Sequence, residues 1–172
     1  MAVEFLDLAR DLGDLVARRG HTLVWGGGSV GLMGALAGAA QAAGGKVVGV
    51  IPSFLSGTEV EYRRADELVV TEDMRRRKTI LEERSDGFIV LPGGVGTLEE
   101  LFEILALRLL GRHDKPVAVV NHEGFYDGLL RFLEELYAKS FLSERFRAYY
   151  AVFPDPASAL EAVEKACAER AP

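Results

Sequence analysis

The chain has 172 residues, and its 26 acidic side chains outnumber its 20 lysines and arginines, giving a formal net charge of −6 at pH 7. This length suits one domain with its own hydrophobic core, and the negative charge argues against electrostatic binding to nucleic acid or to a membrane surface. The one cysteine, Cys167, excludes an internal disulfide and a zinc site built from several cysteines. Because neither a signal peptide nor a membrane span is recognisable, we expect a soluble, cytoplasmic protein.

Apolar runs and helical periodicity alternate along the whole chain. We expect strands at about 21–25, 46–51, 67–71, 87–91, 116–121 and 151–153. Helices are expected at about 5–16, 31–43, 73–84, 126–139 and from 156 onward, with a further helix that follows residues 92–94 and ends near residue 111. The strands are continuously apolar, which is typical of a parallel sheet covered on both faces. The sequence therefore predicts an α/β fold, with residues 1–172 forming one doubly wound, Rossmann-like domain.

Two glycine-rich segments lie between a strand and a helix, which is where ligands bind in such a sheet. The first, residues 26–31, contains a G-x-G-x-x-G match. A dinucleotide site also needs an acidic residue at the end of the next strand, and that strand ends Val50-Ile51-Pro52. NAD is therefore not expected, and a tight turn accounts for some of these glycines.

The second segment, residues 92–100, reads PGGVGTLEE. Glycines at a helix start let backbone N–H groups turn toward an anion, and the helix dipole favours negative charge there. Thr97 adds a hydroxyl donor and is expected to cap the helix. The segment predicts a site for a phosphate-sized ligand.

The helix that follows has two apolar faces. The stripe expected to face the core is Leu98, Leu101, Phe102, Leu105 and Leu109. Glu100 lies roughly opposite, beside Ile104 and Leu107, so we expect a partly desolvated carboxylate there and a solvated one at Glu99. A helix covered on both sides suggests a second subunit.

A basic run begins the helix near residue 74. Its members on one inward face are Met74, Arg77, Lys78 and Leu81, whereas Arg75 and Arg76 point elsewhere. Cations on an inward face need anionic partners. A bound anion and a structural salt bridge, for instance to Glu82, both remain open, and a site role is favoured more for Arg77 than for Lys78.

These motifs together resemble the Lonely Guy family, the cytokinin riboside 5′-monophosphate phosphoribohydrolases, which are often labelled lysine decarboxylases. The family pattern P-G-G-x-G-T-x-x-E matches residues 92–100, and G-G-G-S-x-G-L-M-G matches residues 26–34. The family's Met-x-x-Arg-Lys helix start matches Met74, Arg77 and Lys78. The resemblance extends over nearly the whole chain.

The resemblance implies hydrolysis of the N-glycosidic bond of cytokinin riboside 5′-monophosphate or AMP by a homodimer. No cofactor is expected, and no metal, because His21, His113 and His122 are scattered without metal-ligand spacing. Arg77 and Glu100 would be the catalytic pair, and Met74 would lie near the base. The candidate substrate-binding residues are Gly27, Gly28, Ser29, Met74, Lys78, Gly93, Gly94, Gly96 and Thr97.

The sequence departs from the family pattern in two places, and three other functions are alternatives to hydrolysis. Family members usually begin with a strand before the first helix, whereas this sequence begins at that helix, so the usual first strand is expected to be absent. Arg75 and Arg76 also replace the usual His-Glu. A carrier that binds a nucleotide or cofactor without catalysis is the alternative function. A single-strand DNA binder is disfavoured by the acidic charge. Lysine decarboxylation is unsupported, because nothing marks a pyridoxal phosphate site.

Overall fold

The computed structural model describes residues 3–58 and 61–170, and its helices and strands alternate as predicted. The chain divides into two compact units, Met1–Ser85 and Asp86–Pro172. Each unit contains one parallel sheet of three strands. The α/β class, with parallel strands and surrounding helices, is therefore confirmed. The single domain over the whole chain stays a prediction.

The first unit is built around a fully buried central strand. Its elements are α1 (Val3–Arg18), β1 (Leu23–Trp25), α2 (Gly31–Ala42), β2 (Val47–Pro52), β3 (Glu67–Thr71) and α3 (Met74–Glu83). The order is β1-β2-β3, with Trp25 paired to Gly49 and Pro52 to Thr71. Every residue of β2 is buried, which explains its unbroken apolar run.

Small residues bring α1 and α2 close together in this unit. A Cβ on Gly13 of α1 would lie only 2.2 Å from the carbonyl oxygen of Leu36 in α2. On the α2 side, Ala37 and Ala40 are buried. The small-residue composition of α2 thus serves close helix packing, and α2 begins directly after the first glycine-rich segment.

The second unit repeats the alternation of strand and helix. Its elements are β4 (Phe88–Val90), α4 (Val95–Leu109), β5 (Val117–Val120), α5 (Asp127–Ala138), β6 (Ala151–Phe153) and α6 (Pro156–Arg170). The sheet order is β4-β5-β6, all parallel. Two short 3-10 helices, His122–Gly124 and Glu144–Tyr149, were not predicted. None of the helices among the described residues is long and apolar enough to cross a membrane.

Candidate active site

The first glycine-rich segment follows β1 and is held on both sides. The indole Nε1 of Trp25 donates to the carbonyl oxygen of Gly28 at 3.3 Å, and the Tyr62 backbone N–H donates to the carbonyl oxygen of Gly27 at 2.9 Å. Gly27 has φ +72°, a conformation that side-chain-bearing residues rarely adopt. The segment is therefore a fixed turn, and Trp25 belongs to the core rather than to a pocket wall.

Arg77 lies against this turn, as its predicted inward face requires. Its side chain is only 8% exposed, and its Nε donates to the carbonyl oxygen of Val50 at 3.0 Å. Asp73 starts α3 by accepting the Arg76 backbone N–H at 2.8 Å. This cap fixes the phase of the helix, which turns Arg77 inward and leaves Arg75 and Arg76 exposed.

The thioether of Met33 borders the same turn. Its Sδ would lie 3.3 Å from a Cβ on Gly26, and its Cε 2.5 Å from one on Gly28. Met74 is 39% exposed at the start of α3, so its predicted place on the inward face is wrong: the first turn of the helix projects beyond the elements that cover Arg77. Lys78 is half-buried one turn later. The first unit thus gathers residues 26–28, Arg77 and Met33, of which sequence reasoning gave no role to Met33.

Tyr62 is another residue whose contacts were not predicted from the sequence. It is buried, packs edge-on against Trp25 with ring centroids 5.5 Å apart, and donates its hydroxyl to Oε1 of Gln41 at 2.8 Å. Its one signal in the sequence is an aromatic residue within a polar loop. An open cleft lies beside this loop, and Ser29 is among its lining residues.

The second glycine-rich segment leads from β4 into α4. Gly94 occupies the cap position in an extended conformation and α4 begins at Val95, so the predicted cap by Thr97 is wrong. Thr97 lies inside the first turn, and its Oγ1 is 2.2 Å from the place where a Cβ on Gly93 would sit. Gly93 is therefore required by Thr97, whose side chain folds back over it.

Gly94 and Gly96 have no such packing reason. Among the described residues, nothing lies within 4 Å of a Cβ built on either, and neither has a positive φ. Glycine within a helix costs about 1 kcal/mol relative to alanine. The backbone N–H groups of the first helical turn have no intrahelical acceptor, so these glycines leave that turn open to close approach by an anion.

The side chain of Tyr126 restrains the start of the second glycine-rich segment. Its hydroxyl donates to the carbonyl oxygen of Leu91 at 2.8 Å, and the backbone N–H of Gly93 is directed toward the same oxygen. The ring is 2% exposed, and burial raises the pKa of Tyr126 to about 12. Asn121 at the end of β5 accepts the Tyr126 backbone N–H at 2.7 Å. The role of Tyr126 was not predicted, because no local pattern in the sequence indicates a hydrogen bond to Leu91, 35 residues away.

The burial along α4 partly differs from the prediction. Glu99 is exposed and Glu100 is half-buried, as expected, and Leu101 and Leu105 are buried. Phe102 and Leu109, however, are 40% and 43% exposed, and Val95 is 85% exposed. Helical spacing identifies the apolar face of α4, but the width of the buried stripe depends on the neighbouring elements. These bury Leu101 and Leu105 fully and cover Leu98 and Ile104 in part.

The two candidate catalytic residues come from different units: Arg77 from the first and Glu100 from the second. The second unit gathers residues 93–97 around Tyr126. No group of three or more histidine, cysteine, aspartate or glutamate side chains within residues 3–58 and 61–170 could hold a metal ion.

Comparison with known proteins shows the family. A family model described as "possible lysine decarboxylase" matches residues 33–163. A protein of Mycobacterium tuberculosis named cytokinin riboside 5′-monophosphate phosphoribohydrolase is 53% identical over 140 residues, 81% of this chain and 75% of that protein. A protein of the same name from Arabidopsis thaliana is 42% identical over 163 residues, 95% of this chain and 75% of that one. This chain belongs to the Lonely Guy family.

Solved structures similar to this Lonely Guy protein include two named for the molybdenum cofactor. The carrier protein from Chlamydomonas reinhardtii is 28% identical with a TM-score of 0.71, and the match covers 98% of this chain and 91% of that one. The binding protein from Rippkaea orientalis is 26% identical with a TM-score of 0.72, covering 94% and 87%. This chain thus shares its fold with proteins named for carrying or binding the molybdenum cofactor.

Proposed function

We propose that this chain hydrolyses the N-glycosidic bond of a cytokinin riboside 5′-monophosphate or AMP and releases the free base and ribose 5-phosphate. The observation that carries the proposal is the start of α4, where the N–H groups of the first turn have no intrahelical acceptor and nothing in the described residues packs against the Cβ positions of Gly94 and Gly96. A 5′-phosphate is the anion such a helix start favours. The curated relatives, at 53% and 42% identity, support the same reaction.

Glu100 is the candidate for chemistry at the ribose. As the C1′–N bond breaks, its electron pair leaves with the base, which takes up a proton, while the oxygen of water bonds to C1′ and positive charge develops on the ribose. A half-buried carboxylate stabilises that charge or activates the water. Glu100 lies four residues after Gly96, so both occupy the same face of α4, one helical turn apart.

Arg77 is the candidate for holding the nucleotide and stabilising negative charge on the departing base. Its hydrogen bond to Val50 fixes the plane of the guanidinium, which a lysine could not reproduce. At the same helix start Met74 is exposed and Lys78 is half-buried, and Met74 is proposed to lie near the base and Lys78 near the phosphate. Ser29, Gly27 and Gly28 would complete the substrate-binding residues of the first unit.

We also propose that the chain acts as one nucleotide-binding domain and forms a homodimer through α4. Val95, Phe102 and Leu109 are spaced by seven residues, so their exposed side chains share one face of the helix. Apolar side chains repeated in this way are typical of a helix that packs against a partner. Phe102→Glu should lower the mass measured by analytical ultracentrifugation to that of a monomer, whereas Glu99→Lys should not.

The reaction is tested by incubating the purified protein with AMP and with isopentenyladenosine 5′-monophosphate. Chromatography should detect free base and ribose 5-phosphate, and Glu100→Gln should abolish their release. Glu99→Gln, an exposed carboxylate one residue away, is the matched control and should retain activity. Tight nucleotide binding without turnover in the wild type would instead establish a carrier, and the preferred nucleotide would show whether cytokinin activation is the function.

A further inference from the structure

The phenol of Tyr126 is bonded to the backbone just before the second glycine-rich segment. It donates to the carbonyl oxygen of Leu91 at 2.8 Å, and the N–H of Gly93 is directed toward the same phenol oxygen; Leu91 and Gly93 lie on either side of the buried Pro92. The N–H groups of Val95, Gly96 and Thr97, in the first turn of α4, follow directly. One side chain therefore restrains the backbone that leads into the proposed anion site.

A restraint of this kind is needed because the segment is rich in glycine. Gly93, Gly94 and Gly96 have more backbone freedom than other residues, and ordering them on ligand binding costs affinity. Pro92 removes only part of that freedom, by fixing its own φ and restricting Leu91. Pre-ordering the segment in the free protein lowers the cost of binding.

We infer that Tyr126 is a positioning residue, whose hydroxyl holds residues 91–93 so that the first turn of α4 presents its N–H groups to the phosphate of the ligand. The inference rests on the proposed function for the nature of the ligand, a nucleoside 5′-monophosphate. Asn121 helps to position Tyr126, because its side chain accepts the Tyr126 backbone N–H and donates from Nδ2 to Asp127 at 2.8 Å. The end of β5 thereby sets the position of the phenol.

A residue that only fills the core would behave differently. The Tyr126 ring packs edge-on against Phe125, with ring centroids 4.9 Å apart, within the core of the second unit. Phenylalanine preserves that packing and removes only the hydroxyl. Tyr126→Phe therefore separates the effect of the hydroxyl from the effect of ring packing.

The matched control is Tyr137→Phe. Tyr137 is also buried in the second unit, and its hydroxyl faces Tyr150 rather than the glycine-rich segment. Three measurements compare both variants with the wild type: amide hydrogen exchange of residues 91–97 without ligand, Kd for AMP and adenosine by calorimetry, and kcat and KM for AMP.

For Tyr126→Phe we expect faster exchange across residues 91–97 and an AMP affinity weaker by about threefold to tenfold, the effect of about one hydrogen bond. Adenosine, which lacks the phosphate, should bind as to the wild type, and KM should rise while kcat changes less than about twofold. Tyr137→Phe should change none of these.

Unchanged exchange and unchanged AMP affinity in Tyr126→Phe would overturn the inference, as would an equal loss of adenosine and AMP affinity. A wild type that binds neither AMP nor inorganic phosphate would overturn it too. If the wild type binds AMP without hydrolysing it and Tyr126→Phe weakens that binding, the proposed reaction fails while the positioning role stands.

Discussion

A terminal nitrogen of Arg77 occupies the space that a side chain on Gly26 would need, 2.1 Å from the position of its Cβ. The same guanidinium is bonded through Nε to the carbonyl oxygen of Val50. It therefore lies across the carboxyl ends of β1 and β2, where a doubly wound sheet binds its ligand. The position of the Arg77 guanidinium therefore requires glycine at position 26.

Gly26→Ala and Arg77→Ala should both abolish base release, because the methyl group in Gly26→Ala displaces the guanidinium from Val50. Activity is measured by chromatography of the products, with circular dichroism to show that the variant is folded. Gly38→Ala in α2 is the control, since the nearest atom to a Cβ there is the Tyr62 hydroxyl oxygen at 3.9 Å. Wild-type turnover in a folded Gly26→Ala variant would refute the role given to Arg77.

Gly96→Ala should separate binding from stability. The glycine is the second residue of α4, as Gly128 is of α5, and a Cβ on either meets no atom of the described residues within 4 Å. Alanine should therefore raise the free energy of unfolding by up to about 1 kcal/mol at both positions. Only Gly96→Ala should weaken AMP binding, as calorimetry would measure; equal affinities in the two variants would mean that no ligand approaches Gly96.

Arg108→Ala should destabilise the second unit. Nη1 of Arg108 donates to the carbonyl oxygens of Lys115 at 2.9 Å and Tyr149 at 3.0 Å, which ties the end of α4 to the chain entering β5 and β6. Losing these charge-assisted bonds should lower the free energy of unfolding by about 1–3 kcal/mol, measured by urea denaturation. The exposed Arg112, changed to alanine, should have little effect. An equal loss in both variants would show that the bonds of Arg108 are not the cause.

Asp155→Asn should reduce the loss of stability in acid. The carboxylate accepts the Ser158 N–H at 2.9 Å before α6, and this bond lowers the pKa of Asp155 below its ordinary 3.8. A lowered pKa stabilises the folded protein above the ordinary value, and that contribution is lost as the pH falls through the folded value.

Asparagine still accepts the N–H but does not titrate. Thermal unfolding of Asp155→Asn should therefore depend less on pH between about pH 5 and pH 2, whereas the wild type loses stability more steeply. Parallel curves for the two proteins would contradict the assignment.

Local patterns predicted most of the elements because they depend on neighbouring residues. The unbroken apolar run of β2 predicted a strand buried on both faces, and helical spacing placed Arg77 on the inward face of α3. The cap of α4 was wrong because Gly94 reaches the extended cap conformation without a side-chain acceptor, which leaves Thr97 inside the helix.

Contacts between distant residues could not be predicted in the same way. Tyr126 bonds to Leu91 across 35 residues, and Tyr62 bonds to Gln41 across 21. Periodicity describes which face of an element is apolar, but it contains no information on which polar group of another element lies opposite. The residues that hold the two glycine-rich segments were therefore found only in the structure.

Trp25 is the one tryptophan of the chain, and its indole N–H is bonded to the carbonyl oxygen of Gly28 within the first glycine-rich segment. Indole emission responds to hydrogen bonding at this nitrogen. Any nucleotide that shifts Gly28 will therefore change the intrinsic fluorescence of the protein, and titration at a single wavelength pair will follow binding without a label. Trp25 is therefore an intrinsic fluorescent probe of the first glycine-rich segment.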